Sequence, residues 1–298
     1  MTDGDGRTDA GAPALPLPIE ARYGPLFSAS CARGTADELA EWLAFALTLC
    51  DAADAIALRH FRREVEIRTK PDRTFVTEAD QAIERLIRER ISARFPDHGF
   101  VGEEYGEEHS SAQARWHIDP IDGTHNFIRG VPLFGTLLAL EVDGELQVGV
   151  MSAPALRERW YASRGAGAWA TGAAGMEGPR SIRVSAVGAL SDSQILYGSA
   201  NELRESDRMP GFGALLSEVW RERGFGDFWG YALVSEGAAE AMIEVGVSTW
   251  DLAGPMVVLE EAGGRLTDLD GERRIDRREV LASNGVLHET VRERLISA

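Results

Sequence analysis

The segment at residues 116–127, WHIDPIDGTHNF, constrains the fold of this chain more than any other stretch of its sequence. Asp119 follows a strand-like apolar run, and Pro120 cannot continue a hydrogen-bonded ladder, so the strand is expected to end there. Asp119 and Asp122 are then presented on a turn, close enough to share ions. Carboxylate oxygens on such a turn are the hard ligands that Mg²⁺ prefers. The other interpretation of this segment alone is an ordinary surface turn.

The residues after Asp122 are suited to binding a phosphate. Gly123 lets the backbone approach a ligand closely, and residues 123–126 can begin a helical turn whose free N–H groups bind an anion. The net charge of the chain is −17, from 31 Lys and Arg against 48 Asp and Glu. Such a protein would repel a phosphate ester unless divalent cations, held by carboxylates, become the largest local charges. The combination predicts a metal-assisted site.

The composition argues against several classes of protein. Binding to a nucleic-acid backbone requires Lys and Arg, and the acidic balance also disfavours an anionic membrane surface. We find no apolar run of membrane-spanning length and no secretory signal in residues 1–34. The two cysteines, Cys31 and Cys50, are too few for a disulfide framework or a zinc site. We therefore predict a cytoplasmic protein in which Cys50 is a buried thiol on a helix.

Hydrophobic periodicity divides the chain into a tail and two halves. Residues 1–34 are expected to be disordered or loosely docked, residues 35–185 to form an α+β half, and residues 186–298 to form an α/β half. The first half is predicted to contain helices at about 35–61 and 78–95, and strands at 100–102, 116–119, 134–142, 145–152, 159–162 and 168–170. The second half is predicted to contain strands at 195–198, 242–245, 265–268 and 280–283, and helices at 212–223, 232–241 and 252–262. Such alternation is typical of layered α/β folds.

Two further acidic segments accompany the one at residues 116–127. Residues 102–106 have the sequence GEEYG, and residues 250–264 begin with WDLAGP and end with EEAGG. Taken singly, the first is typical of a solvated loop, and Asp251 in the second is typical of a helix N-cap. In this order, the three segments resemble the inositol monophosphatase superfamily over the chain from about residue 35 to its end.

The resemblance implies a fold and an activity. The fold is α/β with α+β, a layered αβαβα sandwich of the inositol monophosphatase and fructose bisphosphatase type. The activity is that of a Mg²⁺-dependent phosphomonoesterase with two or three ions, in which a metal-activated water attacks a small phosphate monoester. A homodimer is implied as well. The implied metal ligands are Glu103, Asp119, Ile121 through its carbonyl oxygen, Asp122 and Asp251.

Catalytic and phosphate-binding roles follow from the same resemblance. Thr124, together with Glu103, matches the group that orients and activates the attacking water, and Asp119 completes the catalytic set. Gly123 and Thr124 match the backbone donors to the phosphate.

Four more residues are expected near the ions, with alternatives open. Asp80 is a helix cap, a neighbour of a third ion, or both. Glu104 matches an acidic neighbour of the first ligand. His125 contacts the substrate or surrounds the metal ligands, or else it has a packing or surface role. Lys70 either approaches the phosphate or is an ordinary solvated lysine.

Substrate choice depends on residues outside the metal ligands. Residues 226–228 are Gly-Asp-Phe where inositol-type members resemble Gly-Thr-Ala. Together with residues 69–80 and 129–136, they resemble the histidinol-phosphate phosphatase branch of the superfamily. Histidinol phosphate carries an ammonium and an imidazole, so a pocket with two added carboxylates, Asp227 and Glu244, suits it better than a neutral polyol.

Other functions stay open on the sequence alone. Asp227 is also typical of a turn or helix cap, and Glu244 fits an inositol-1-phosphate phosphatase equally well. A broad sugar-phosphate phosphatase or a bisphosphate phosphatase would carry the same metal ligands. In a different class, the chain would be a non-catalytic regulatory or RNA-associated protein on this fold.

Overall fold

The computed structural model of the chain describes residues 33–64, 66–70, 75–172 and 178–297. The tail predicted at residues 1–34 therefore lies outside the described residues, apart from its last two positions. Cys31 and part of the loop that follows Lys70 also lie outside them.

Helices and strands alternate along the described part of the chain. The helices are α1 (Ala36–His60), α2 (Glu78–Arg94), α3 (Thr124–Ile128), α4 (Ala200–Glu205), α5 (Met209–Leu216), α6 (Asp227–Ser235), α7 (Thr249–Glu261) and α8 (His288–Ile296). The strands are β1 (Ile67–Thr69), β2 (Phe75–Thr77), β3 (Gly99–Gly102), β4 (Gly106–Glu108), β5 (Ala114–Asp122), β6 (Gly135–Val142), β7 (Glu145–Ala153), β8 (Glu158–Ser163), β9 (Ala168–Thr171), β10 (Arg180–Ile182), β11 (Gln194–Tyr197), β12 (Arg221–Arg223), β13 (Ala241–Val245), β14 (Arg265–Asp268) and β15 (Glu279–Ser283). None of the described helices combines the length and the apolar character needed to cross a bilayer.

Capping boxes begin the two long helices of the first half. At α1, the Thr35 side chain accepts from the Glu38 N–H at 3.2 Å and the Glu38 carboxylate accepts from the Thr35 N–H at 2.7 Å. At α2, the Asp80 carboxylate accepts from the Thr77 N–H at 2.8 Å. Each box satisfies backbone donors that a helix start leaves unpaired. Both predicted helix starts are confirmed, and so is the buried position of Cys50 on α1.

The elements stack in five layers separated by three apolar cores. α1 and α2 pack on one face of an eight-stranded sheet with the strand order β10-β9-β8-β7-β6-β5-β3-β4. α6 and α7 lie between the other face of that sheet and a five-stranded sheet with the order β12-β11-β13-β15-β14. α4, α5 and α8 cover the outer face of the smaller sheet. The predicted αβαβα sandwich is confirmed.

The boundary proposed near residue 185 falls between the two sheets. β10, the last strand of the larger sheet, ends at Ile182, and β11, the first of the smaller sheet, begins at Gln194. The core between the sheets nevertheless mixes both halves, since Leu137 of β6 and Met256 of α7 belong to one buried cluster. The division into two halves stays a proposal about chain organisation.

The dipeptide Asp143-Gly144 between β6 and β7 predicts a β-hairpin from the sequence alone, and the structure has the geometry of such a turn. Asp143 and Gly144 both have positive φ, at 52° and 78°. Two consecutive left-handed residues form the primed turn whose twist matches that of a β-hairpin. The predicted hairpin is confirmed.

Two predicted helices of the second half are wrong in part. The stretch at 212–223 divides into the end of α5 and the strand β12, which pairs in parallel with β11 at the edge of the smaller sheet. The stretch at 232–241 divides into α6 and the first residue of β13. Gly237 ends this stretch with a φ of 73°, and a Cβ there would lie 2.9 Å from the Arg183 carbonyl oxygen. Strand pairing and close backbone contact override helical periodicity in both places. The periodicity also missed α4, α8 and the short strands β1, β2, β4, β10 and β12.

Glu141 forms a buried ion pair whose contribution to stability depends on pH. Its carboxylate accepts from His117 and Arg115, each at 2.7 Å, and the hydrogen bond to His117 does most to lower the pKa of Glu141 to about 2. A carboxylate with a lowered folded pKa stabilises the protein above its unfolded pKa, and the stabilisation disappears as the pH falls through the folded pKa. The shift corresponds to roughly 3 kcal/mol.

We predict that Glu141→Gln lowers the free energy of unfolding at pH 7 and that its difference from wild type shrinks as the pH falls from about 5 towards 2. Urea unfolding across this pH range measures the difference. Glu107→Gln, at an exposed position, is the control. A difference that stays constant with pH would contradict the role given to this pair.

Candidate metal centre

Asp119 and Asp122 lie at the carboxyl end of β5, where its pairing with β6 is interrupted. Asp119 is opposite Leu137 and Asp122 is opposite Gly135, with a register shift between the two pairs. β5 thus continues beyond Pro120, which corrects the prediction that the strand ends at Asp119. Pro120 is accommodated in the irregular stretch, where no ladder hydrogen bond is required of it.

Gly123 joins β5 to α3 in a conformation that a side chain would disturb. Its φ is 78°, and a Cβ at this position would lie 2.9 Å from the Leu133 carbonyl oxygen. α3 begins at the next residue, Thr124, whose hydroxyl donates to the Ile121 carbonyl oxygen at 3.0 Å. The expected helical turn is confirmed. The phosphate-binding and water-activating roles of Gly123 and Thr124 stay predictions.

α7 carries the third carboxylate of the centre, Asp251. Ser248 is the N-cap of this helix and Asp251 is its third residue, with the Ser248 N–H donating to Asp251 at 2.7 Å. The interpretation of Asp251 as the N-cap is therefore corrected by three residues. α7 approaches β7 very closely, since a Cβ on Gly149 would lie 2.4 Å from the Gly254 carbonyl oxygen. This contact brings the first turn of α7 to the end of β5.

Asp119, Asp122 and Asp251 form an acidic cluster that fits a cation. One carboxylate oxygen from each lies within 4.8 Å of the others. Burial raises the pKa of all three, to about 7 for Asp251, and nearby Glu103 and Asp227 add repulsion at Asp119 and Asp122 respectively. Among the described residues, Asp119 Oδ1 is buried without a hydrogen-bond partner. Buried carboxylates need a compensating charge, and this set of hard oxygen donors suits Mg²⁺.

Lys70 binds the acidic turn that follows β3. Its Nζ atom lies 2.7 Å from Glu103 Oε1 and 2.6 Å from Glu104 Oε1. Burial opposes the charge of Lys70, but Glu103 and Glu104 together raise its pKa above the ordinary value. Burial also raises the pKa of Glu104 to about 7. The interpretation of Lys70 as a solvated side chain is wrong, and its approach to a phosphate stays a prediction.

Asp80 is both a helix cap and a neighbour of the acidic residues. Its Oδ2 atom accepts from Thr77, whereas Oδ1 is buried without a partner among the described residues. Burial does most to raise the pKa of Asp80 to about 6, and nearby Glu103 raises it further. The cap is confirmed, and a role beside a third ion stays a prediction.

A cavity of about 140 Å³ adjoins the acidic cluster on the side of the smaller sheet. Asp122 and Asp251 form part of its lining, and three more acidic residues complete it: Glu202, Asp227 and Glu244. Sequence reasoning predicted the last two and missed Glu202. Glu202 lies on α4, whose short pattern gave no signal, and only the fold brings α4 to the cavity.

A hydrogen-bond network holds Asp227 and Glu244 in place. Asp227 has a φ of 51°, which is uncommon outside glycine and is tolerated at sites held by their surroundings. Its Oδ2 atom accepts from Asn126 Nδ2 at 3.1 Å, and its N–H donates to Glu244 Oε1 at 3.1 Å. Glu244 Oε2 accepts from the Tyr231 hydroxyl at 2.6 Å. Burial raises the pKa of Asp227 to about 6 and that of Glu244 to about 8.

The amino end of α6 also contacts the acidic cluster directly. The Phe228 N–H donates to Asp122 Oδ2 at 2.6 Å. Asn126 and this N–H therefore tie the Asp227 region to the β5 end across the two halves of the chain. The sequence predicts Asn126 only as part of the helical turn at residues 123–126, and its side-chain contact with Asp227 is not predicted. The contact of Tyr231 with Glu244, thirteen residues along the chain, is not predicted either.

His125 lies on α3 at the edge of the site. It is exposed, and its ring meets Phe75 of β2 in an edge-on contact with centroids 5.1 Å apart. Burial does most to raise the pKa of Asp227, and the nearby His125 ring acts in the opposite direction. The contact with Phe75 supports a packing role for His125. A contact between His125 and the substrate stays a prediction.

Comparison with known proteins identifies the family. Residues 38–298 match the inositol monophosphatase family. The chain belongs to this family. A histidinol-phosphatase from Mycobacterium tuberculosis is 43% identical, over 85% of this chain and 97% of its own length. One from Streptomyces coelicolor is also 43% identical, over 83% of this chain and 94% of its own length.

Solved structures of the same family share the fold. The inositol monophosphatase from Anabaena superposes with a TM-score of 0.76 at 30% identity, covering 88% of this chain and 97% of its own. The family predicted from the three acidic segments is therefore confirmed, and so is the prediction of a phosphatase.

We predict that Asp119→Asn abolishes most of the stabilisation that Mg²⁺ gives the protein. An ion present at 100 times its dissociation constant stabilises the folded state by about 2.7 kcal/mol. The metal-free variant should be at least as stable as metal-free wild type, because one member of a buried set of like charges is removed. Thermal unfolding with and without Mg²⁺ measures both effects, with the exposed Asp192→Asn as the control. An equal Mg²⁺-dependent shift in Asp119→Asn and wild type would rule out Asp119 as a ligand.

Proposed function

We propose that this protein is a Mg²⁺-dependent phosphatase that hydrolyses histidinol phosphate to histidinol and inorganic phosphate. The observation that carries the proposal is the position of the acidic cluster beside a cavity lined by three further carboxylates. The cluster suits metal ions bound to the phosphate, and the cavity suits the positively charged alcohol. The two relatives at 43% identity are histidinol-phosphatases, which supports the same substrate.

Specific residues are assigned to the hydrolysis. Glu103, Asp119, Asp122 and Asp251, with the Ile121 carbonyl, would hold the ions. Mg²⁺ bound there neutralises phosphate oxygens and lowers the pKa of a bound water.

Thr124 and Glu103 would orient the attacking water, and the Glu103 carboxylate would accept its proton. The N–H groups of Gly123 and Thr124 bind the phosphate at the start of α3. A bond forms from the water oxygen to phosphorus as the ester P–O bond breaks, and the departing alcohol oxygen takes up a proton.

The cavity favours a cationic alcohol for electrostatic reasons. Burial does most to raise the pKa of Asp227 and of Glu244; nearby Glu202 adds to the effect at Asp227, and Asp227 adds to it at Glu244. A positive charge between them would stabilise their ionised forms. The carboxylate of Glu202 makes no ion pair within the described part of the chain and faces the same cavity. A neutral polyol offers no such charge.

The homodimer and the cytoplasmic location stay predictions.

We predict a strong preference for histidinol phosphate over inositol-1-phosphate. The ratio of kcat/KM should be ~100 or more, about 2.7 kcal/mol of transition-state discrimination. Phosphate release from the two esters is measured side by side with Mg²⁺. A preference for the inositol ester, or little discrimination, would contradict the substrate and leave the metal site intact.

We also predict that Asp227→Asn reduces kcat/KM for histidinol phosphate by roughly 30-fold, about 2 kcal/mol. Asparagine keeps an acceptor for Asn126 but removes the charge that binds the cation. Hydrolysis of a small uncharged-alcohol phosphate should change by less than about 3-fold. Glu205→Gln on the exposed face of α4 is the control. Equal losses on both esters would mean that Asp227 supports the metal centre and does not select the substrate.

A further inference from the structure

Glu84 is a fully buried carboxylate on α2 that has no part in the chemistry assigned above. Its relative exposure is 0%. Its Oε2 atom accepts from the Glu104 N–H at 2.8 Å, and its Oε1 atom accepts from the Tyr105 N–H at 3.2 Å. A single side chain from α2 therefore binds two consecutive backbone donors of the turn that carries Glu103.

The fit between Glu84 and this turn explains the glycine at its start. A Cβ on Gly102 would lie 2.0 Å from Glu84 Oε1 and 2.6 Å from its carboxyl carbon. The carboxylate thus occupies the space that any side chain at residue 102 would need. Gly102 immediately precedes Glu103 in the chain. The backbone that leads into Glu103 is therefore in direct contact with the Glu84 carboxylate.

Arg88 completes the attachment one helical turn later. Its Nε atom donates to Glu84 Oε1 at 2.8 Å, and its Nη2 atom donates to the Gly106 carbonyl oxygen at the far end of the turn. The guanidinium lies 4.9 Å from the Phe100 ring centroid and 5.8 Å from that of Tyr105. Glu84 and Arg88 therefore bind the turn at both ends from one face of α2.

We propose that Glu84, supported by Arg88, is a positioning residue that sets the direction of the Glu103 carboxylate and thereby the affinity for Mg²⁺. The proposal rests on the role of Glu103 as a metal ligand. The physical reason is the flexibility of the turn. It is flanked by Gly102 and Gly106 and contains the exposed Tyr105, so its backbone could adopt many conformations. Two hydrogen bonds from a buried, charge-paired carboxylate select one of them before the metal binds.

The same helix supplies Asp80 one turn earlier. Residues four apart lie on one face of a helix, so Asp80 and Glu84 project towards the same side, where the acidic residues meet. α2 packs on β5 in the same buried cluster, and the parallel pairing of β3 with β5 sets the register between the turn and the β5 end.

The test compares Glu84→Gln and Glu84→Asp with wild type. Glutamine keeps the length but places an amide donor against backbone donors, and aspartate keeps the charge but is one methylene too short to reach the turn. Glu141→Gln is the control for lost stability, because it also breaks a buried ion pair of the larger sheet, between β6 and Arg115 near the amino end of β5. Glu103→Gln is the reference for loss of the ligand itself.

Three quantities are measured on the full chain: Mg²⁺ binding by calorimetry, the Mg²⁺ concentration that gives half-maximal phosphatase activity, and hydrogen exchange of the Glu104 and Tyr105 amides. In both Glu84 variants we expect the affinity for Mg²⁺ to fall by about 10-fold or more. The Mg²⁺ concentration that gives half-maximal activity should rise by about the same factor. We expect the two amides to exchange faster, and KM for the phosphate ester at saturating Mg²⁺ to stay within about 2-fold of wild type. Glu141→Gln should lower the unfolding temperature and leave all three quantities unchanged.

Each alternative outcome is decisive. Unchanged Mg²⁺ binding in both Glu84 variants, with Glu103→Gln strongly impaired, overturns the positioning role and leaves the proposed function standing. An equal loss in Glu141→Gln shows a general effect of lost stability, and also overturns it. Unchanged Mg²⁺ binding in Glu103→Gln overturns the assignment of Glu103 as a ligand and the positioning role that rests on it, and leaves the three aspartates and the proposed substrate standing.

Discussion

The repulsion among buried carboxylates at the end of β5 is the interaction around which the rest of the molecule is arranged. Asp119, Asp122 and Asp251 lie within a few ångströms of one another, in a setting that raises the pKa of each. Such an arrangement is costly for a folded chain, since buried like charges oppose each other. It persists because three apolar cores and close backbone contacts hold the segments together.

The five-layer stack makes these contacts possible. β5 comes from the larger sheet, and α7 lies between the two sheets, so the cluster forms where the halves of the chain meet. Glycines allow the approach: a side chain on Gly149 would collide with α7, and one on Gly123 would collide with the Leu133 carbonyl. The free-energy cost of placing these carboxylates together is thus offset by apolar burial elsewhere in the fold, as is common at functional sites.

The hydrogen-bond and ion-pair partners of the acidic residues differ between the two sides of the cluster. Towards the first half, Lys70 neutralises Glu103 and Glu104, and Glu84 binds the backbone of their turn. Towards the second half, Asp227 and Glu244 accept from the neutral side chains of Asn126 and Tyr231, which bring no positive charge to either carboxylate. The side of Glu103, the proposed metal ligand, therefore has a cation of its own, and the side of Asp227 and Glu244 has none in direct contact among the described residues. This asymmetry matches a substrate with a phosphate at one end and a cation at the other.

The sequence by itself determined the family, the layered fold and the acidic character of the site, because these depend on local order: a strand that runs into Asp-Pro-Ile-Asp-Gly, a Gly-Glu-Glu turn, and a Trp-Asp at a helix start. Helix caps such as Thr35 and the turn at Asp143 are local for the same reason. Only the tertiary structure decided which distant residues support them. Glu84 and Gly102 are separated by eighteen positions, Glu202 and Asp227 by twenty-five, and Asn126 and Asp227 by 101. No periodicity encodes such pairs, since they depend on how sheets and helices pack, and packing is a property of the whole chain.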